Sequence, residues 1–394
     1  MVHGEGPSAG LPFRRPRVLV FLEHGLSLDS WRSGGDPSLL NGPTPYGYGA
    51  AAGVVDMEWS TDAVEGALTR RIRRSLRGLL GFDLVHAWRH RRSLRAAEVV
   101  WTHTEREALA ALAVLALTRG PSTRVIAQTI WLWDEWPTLS HVRRAVARHL
   151  LGRAAVEITH STHNRDRSRS VRGTENVFLV PFGAAVNREV LALVPRQSRP
   201  AGPPHVLAVG SDRHRDWETL HAAARMLPGV AFRVATLNPD YPRHDLPVNV
   251  TVEASSSLRA GYEAYLAARM VVLPLTPNLH ASGCTVALES QHIGVPLVTT
   301  DVGGLGGYLG DRGVHLYRHG DAASLAAVIS AELRRQGRGH GVRPNAEGLA
   351  ARGLTADDYA GRYVLLTRWL LDGAPAPETV ERTVPMRGML RPPP

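Results

Sequence analysis

Twice along this chain, short runs of continuous apolar residues alternate with segments of helical period, and no other feature restricts the fold as much. The run Arg17 to Glu23 (RVLVFLE) shows no polar alternation, the mark of a strand buried on both faces of a parallel sheet. Further strands are expected at 97–105, 124–136, 156–162 and 177–187, with helices at 61–81, 106–117 and 141–154 between them. A Pro- and Arg-rich stretch at 194–205 then interrupts the pattern. Beyond it, strands are expected at 205–211, 231–238, 248–254, 270–276 and 296–302, and helices at 217–227, 258–269, 285–293 and 322–335. Two such series imply an α/β fold of two doubly wound, Rossmann-like domains, 14–193 and 206–353, facing a central cleft. A last helix within 354–373 is expected to cross back to the first domain, and 374–394 to be a flexible tail. The length of 394 residues suits two domains rather than one. Ligands of such sheets sit beyond the carboxyl ends of the strands, so the strand-to-helix loops of both halves are the place to look for chemistry.

Composition removes several chemistries. The single cysteine, Cys284, excludes a disulfide framework and any Cys-based zinc site. All 46 basic residues are arginines. A chain without lysine forms no Schiff base and has no Walker A lysine, so any phosphate clamp must use Arg or backbone N–H groups. The N-terminal stretch lacks the shape of a signal peptide, and the longest apolar run, Ala108 to Leu117, is far shorter than the ~20 residues a membrane span needs. A cytoplasmic protein is therefore expected. The net charge of +10 raises nucleic acid as a partner, but no helix-turn-helix, RRM or zinc pattern supports it, and none is expected to bind. The basic amphipathic run near 70–80 (RRIRRSLRGLL) reads first as a solvated helix face in an Arg-rich chain, with a peripheral contact with the inner face of a membrane as the alternative.

The most informative stretch is HASGCTVALESQHIGVPLVTT, 280–300. It places a polar turn with Ser282 and Gly283 before an apolar-periodic helix that carries one carboxylate, Glu289. A buried strand follows. The first N–H groups of such a helix are free donors and its dipole adds roughly half a positive charge there, which suits a phosphate. Glycine lets a ligand approach the backbone. Glu289, one turn deeper, is placed to accept hydrogen bonds from two vicinal hydroxyls, as in a ribose.

The segment SGCTVALESQHIGVPLVTTDVGGLGGYL resembles the C-domain signature of GT-B-fold retaining glycosyltransferases of the family 4 type. VGSDRHRDWETLHAA (209–223) and VFLVPFGAAVN (177–187) are similar to two further parts of that family's pattern. The resemblance runs loosely from about residue 16 to 372 and is specific only in the C-terminal half. It implies a GT-B architecture and transfer of a sugar from a nucleotide-diphosphate sugar, most simply a UDP-sugar, to a hydroxyl acceptor. The acceptor is a small molecule, a polysaccharide or a lipid-linked group. Retention by front-face attack is implied, with no metal and no other cofactor. A nucleotide-sugar epimerase of the same architecture remains an alternative, as does, more remotely, a basic protein that binds nucleic acid or a membrane surface.

Residue by residue, the resemblance assigns donor binding to Ser282, Gly283, Cys284, Thr285 and Glu289, with the Gly34-Gly35 loop approaching the diphosphate. Arg213 and Arg215 would stabilise the departing diphosphate, and His103 would lie close to the donor sugar. Asp134 and Glu135 are candidates to orient an acceptor hydroxyl, and Trp133 with Trp131 and Trp136 to stack on a sugar face. One departure stands out. The family pairs two glutamates, whereas here the upstream position holds Ala281 with His280 beside it.

Overall fold

The computed structural model describes residues 14–33, 42–118, 123–193, 205–254, 258–337, 344–373 and 377–392. Among these, twelve strands form two six-stranded sheets. The first contains β1 (Arg17–Phe21), β2 (Asp56–Trp59), β3 (Val99–Thr102), β4 (Arg124–Thr129), β5 (Val156–Thr159) and β6 (Val177–Leu179), in the order β2-β1-β3-β4-β5-β6. The second contains β7 (His205–Val209), β8 (Ala231–Ala235), β9 (Val250–Glu253), β10 (Met270–Leu273), β11 (Leu297–Thr299) and β12 (Val314–Leu316), in the order β12-β11-β10-β7-β8-β9. Every pairing is parallel. Strand order reverses between β1 and β3 in the first sheet and between β7 and β10 in the second, and such reversals open the crevices where ligands sit.

Both faces of each sheet are covered. In β1, Leu19 and Phe21 enter one core while Val18 and Val20 enter another on the opposite face. The second sheet divides in the same way, Leu207 and Val271 to one side and Val206 and Val272 to the other. Burial on both sides is why these runs carry no polar alternation. The helix Ala356–Asp372 begins on a capping box between Thr355 and Asp358 and crosses back to the first domain. There Tyr359, Tyr363 and Val364 join the Val18 core, and the Trp101 indole donates to Thr367 Oγ1 at 2.8 Å.

Four expectations need correction. The helix expected over 61–81 spans Ala67–Leu80, because Asp62 is engaged by the Gly25 and Ser27 amides and the Ser30 hydroxyl, which holds the chain extended before it. The strand expected over 124–136 ends at Thr129, where Glu105 takes the Ile130 and Trp131 amides, and Leu132–Glu135 is helical. The edge strand β2, short and half-exposed, carries too weak an apolar signal to be expected. The C-terminal segment, read as a flexible tail, is a packed clasp over its described part, 377–392. Val380 is buried, the Met386 and Arg387 amides donate to Asp358 Oδ1, and the buried Arg362 donates to the carbonyls of Gly353, Arg382 and Val384. Of the 194–205 linker, all but His205 lies outside the described residues.

Two stability measurements follow. Arg362→Met leaves buried carbonyls without donors and is expected to lower the urea unfolding free energy by about 3 kcal/mol; a loss below about 1 kcal/mol would mean the clasp does not depend on it. Glu332 is buried, which opposes its ionisation, but hydrogen bonds from His315, Arg335 and Gln336 outweigh that and hold its carboxyl down at about 2 against an ordinary 4.5. A pKa lowered by folding stabilises fully above the unfolded value and loses that contribution as pH falls through the folded one. Glu332→Gln should therefore flatten the pH dependence of stability between about pH 4.5 and 2. An unchanged slope would show that the carboxylate is not part of the acid transition.

Candidate active site at the domain junction

Two loops at the reversal of the second sheet build the site. The loop after β7 runs from Gly210 to Asp216, and the loop after β10 runs from Pro274 to Gly283. They are zipped together: the Asp216 amide donates to the Pro274 carbonyl and the Thr276 amide to the His214 carbonyl, both at 3.0 Å, and Arg215 forms an isolated bridge with Leu275. Arg215 is only 7% exposed. Its guanidinium folds back over Gly210, whose φ of 128° and missing Cβ make the room; a Cβ there would strike that guanidinium. Nη1 donates to Ser282 Oγ at 2.9 Å and Nε to the Val209 carbonyl at 3.3 Å. Among the described residues no ion pair neutralises Arg215. Burial lowers its pKa, as expected for a cation held in a dry place.

Gly283, in the left-handed region at φ 79°, starts the helix Cys284–Ile293. A Cβ there would lie 2.7 Å from the Leu273 side chain. No side chain among the described residues caps this ten-residue helix; the Cys284 amide donates to the Ala281 carbonyl at 3.1 Å, and Thr285 is exposed at that end. Glu289 lies one turn further, partly buried, with the Tyr265 hydroxyl donating to Oε2 at 3.0 Å. Burial pushes its carboxyl up to about 7. Burial also pushes the Cys284 thiol up to about 11, which makes it a packing residue at the helix start rather than a thiolate.

The other domain meets these loops through a charged bridge. Asp134 Oδ1 accepts the Leu279 amide at 2.7 Å, and Oδ2 accepts the His280 amide at 3.1 Å and pairs with His280 Nδ1 at 2.7 Å. His280 Nε2 lies 3.1 Å from Asp212 Oδ2, and Asp212 Oδ1 pairs with His214 Nδ1, also at 3.1 Å. Burial disfavours charge on His280, but hydrogen bonds to Asp134 and Asp212 outweigh it and push the imidazole up to about 8. Burial opposes ionisation of Asp212 too, yet hydrogen bonds from His214 and His280 hold it well below the usual carboxylate range. At the rim, Arg213 and Glu135 pair across the domains at 3.3 Å. The Ser161 hydroxyl donates to the Leu279 carbonyl, and the Tyr308 hydroxyl donates to the His160 carbonyl at 2.7 Å while accepting the Phe182 amide at 3.0 Å.

The sequence-expected residues thus divide. Ser282, Gly283, Cys284, Thr285, Glu289 and Arg215 come together around one crevice. Arg213 is half-exposed at the rim and tied to Glu135. Asp134, expected to orient an acceptor, has both oxygens occupied by the 279–280 backbone and His280, so it is a domain tie. Trp133 is corrected: it is fully buried, its indole donates to Thr129 and Glu157, and it packs on Trp136, so it offers no face to a sugar. Trp131, 6.4 Å from the His280 ring, is the member of that cluster at the junction. Gly34 and Gly35 lie outside the described residues. His103, at the end of β3, sits beside the reversal of the first sheet but is only 6% exposed. It stacks on Tyr46 and shares a hydrogen bond with Tyr48 at 3.0 Å, and burial, with His160 nearby, drives its pKa well down. The sequence reading missed Asp212, His214 and the bridging role of His280; the Asp-x-His spacing at 212–214 was the available signal.

No model of a known protein family matches the chain, and no curated protein matches it. Solved structures do. Sucrose-phosphate synthase from Thermosynechococcus elongatus superposes with a TM-score of 0.65 at 17% identity, covering 91% of this chain and 100% of that one. HepE of Anabaena in complex with UDP and glucose gives 0.62 at 14% identity, with 91% and 100% covered. A glycosyltransferase from Rickettsia africae gives 0.57 at 11% identity, with 92% and 100% covered. The fold is the GT-B architecture, two doubly wound domains facing a cleft.

Asp134→Ala removes the centre of the junction. Truncating one partner of a buried, hydrogen-bonded ion pair costs about 3 kcal/mol or more, and the domains should part. Small-angle scattering is expected to show a larger radius of gyration than the wild type. A superimposable profile would refute the role assigned to this carboxylate.

Proposed function

We propose that this chain is a retaining glycosyltransferase of the family 4 type, taking a sugar from a nucleotide-diphosphate sugar, a UDP-sugar first among them, and transferring it to a hydroxyl. The observation that carries the reading is the crevice at the β7/β10 reversal. A buried guanidinium with no ion pair among the described residues, a helix start without a side-chain cap there and the Glu289 carboxylate one turn deeper converge, opposite the other domain. The likeness in fold to HepE, solved with UDP and with UDP-glucose, supports the choice of base.

In this mechanism the diphosphate lies between Arg215 and the amides at Gly283 to Thr285, and Glu289 accepts the ribose hydroxyls. Charge growing on the β-phosphate as the glycosidic bond breaks is met by donors already fixed in a dry site, so little reorganisation is needed. The acceptor attacks from the same face, and the departing phosphate oxygen takes its proton. Removing one such donor costs on the order of 3 kcal/mol in barrier, about a hundredfold in rate. The transfer step, as proposed, draws on no metal.

The acceptor belongs to the first domain. Next to the end of β1, an open cavity of about 470 Å³ is lined by His24, Arg70, Arg74 and Arg77 among others. The helix Ala67–Leu80 that supplies these arginines also exposes Leu68, Ile72 and Leu79. Arginines beside bare apolar side chains suit an anionic, lipid-linked acceptor presented at a membrane surface. No helix among the described residues is long and apolar enough to cross one.

A thermal-shift screen against UDP-, GDP-, ADP- and TDP-sugars tests the donor site. At about 100 times its dissociation constant a donor adds nearly 3 kcal/mol to stability. At least one should do so, and Glu289→Ala and Arg215→Ala should lose most of the shift; variants that respond like the wild type would refute the assignment. Because burial pushes Glu289 up to about 7 and its ionised form is the better acceptor, donor affinity should rise as pH passes from 6 to 8. Glu289→Gln should flatten that rise. Nucleoside diphosphate released only when a hydroxyl acceptor is present separates transfer from epimerisation.

A further inference from the structure

Asp212, His214 and His280 converge on the two loops that also carry Arg215 and Ser282, and the transfer mechanism uses none of them. Their ligand-type atoms all lie within 4.8 Å of one another. Ligands around a tetrahedral zinc ion sit about 3.3 Å apart, given metal–ligand bonds near 2.0–2.1 Å, so a modest contraction brings the three together. The loops that carry them are zipped by the Asp216–Pro274 and Thr276–His214 backbone hydrogen bonds, so the donors are held in place before any ion arrives.

We propose that Asp212, His214 and His280 form a binding site for a first-row divalent cation, zinc before the others, with Asp134 as the carboxylate that orients His280. Two imidazoles and one carboxylate are a donor set that zinc accepts, whereas the oxygen ligands preferred by magnesium and calcium are in the minority. The arrangement behind the site points the same way. Asp134 Oδ2 lies 2.7 Å from His280 Nδ1, leaving Nε2 directed at Asp212. A carboxylate on the far nitrogen is how metal-bound histidines are fixed in tautomer and orientation. An ion there would take the place of the hydrogen that His280 Nε2 and Asp212 share. Asp134 belongs to the first domain and the three ligands to the second, so the ion would brace the closed junction. The role is structural and does not depend on the identity of the reaction.

The test uses the full chain, stripped with a chelator and dialysed, then titrated with zinc by calorimetry and assayed for bound metal. One zinc per chain is expected, with a raised melting temperature and with magnesium unable to compete. His214→Gln, a change at a partly exposed side chain, should weaken binding at least a hundredfold, and Asp134→Asn about 10- to 100-fold, the range typical of lost support behind a ligand. His149→Gln, on the surface helix His141–Leu151, should bind like the wild type. Absence of stoichiometric zinc, equal binding by His214→Gln, or displacement by magnesium would each overturn the proposal. Circular dichroism of the metal-free variants, matching that of the metal-free wild type, guards against reading misfolding as lost affinity.

Discussion

A single buried carboxylate governs how the two halves of this molecule meet. Asp134 reaches out of the first domain and gathers two amides and an imidazole from the loop after β10. That loop is zipped to the one after β7, so fixing its position also fixes Asp212, Arg215 and Ser282. The site is therefore defined only when the domains are together. The pieces of a charge-stabilising pocket sit on one domain, and the other decides where that pocket opens. An interface between two domains is where a cleft can exclude water and admit a ligand.

The C-terminal segment does a related job from the far side. The helix Ala356–Asp372 leaves the second domain and buries Tyr359 and Tyr363 in the first. There both hydroxyls donate to Gln128 Oε1, at 2.5 and 2.6 Å. Gln128 in turn donates to the His103 carbonyl and faces His160. The network runs from the crossing helix to the reversal of the first sheet with its polar atoms paired, and paired buried networks specify one arrangement. Residues 377–392 then close over the helix, with Arg362 and Asp358 supplying opposite halves of the contact, a cation to carbonyls and an anion to amides.

The two parallel sheets and the helix that starts at Gly283 were legible in the sequence because each is written locally. Unbroken apolar runs mark doubly covered strands, and a glycine turn before a helical period marks a helix start. What could not be read were properties of tertiary contact. Trp133 and Trp131 sit two residues apart in one aromatic run, and only the fold shows that the first points into the core and the second to the junction. The tail's Pro and Arg content looks disordered until Asp358 and Arg362, distant in composition but not in space, are seen to hold its backbone. His280 was visible only as a neighbour of a missing glutamate, since its meaning depends on Asp134, which is far away in the sequence.

The charges at the junction set Arg215 apart from its neighbours and underlie the proposal that it meets a diphosphate. Arg213 is tied to Glu135 at the rim, and His280 lies between the carboxylates of Asp134 and Asp212. In each case a fixed anion already answers the basic side chain, and an incoming phosphate would have to compete with it. Among the described residues Arg215 hydrogen-bonds to a hydroxyl and a carbonyl, both neutral, in a place from which water is largely excluded. An unneutralised buried cation is costly, and the cost falls when a ligand brings the missing negative charge. The same reasoning separates two histidines, His103 just after β3 and His280 in the loop after β10. His103 is wrapped in aromatic rings and burial drives its pKa down, whereas His280 is flanked by two carboxylates whose hydrogen bonds raise it, and it serves the junction.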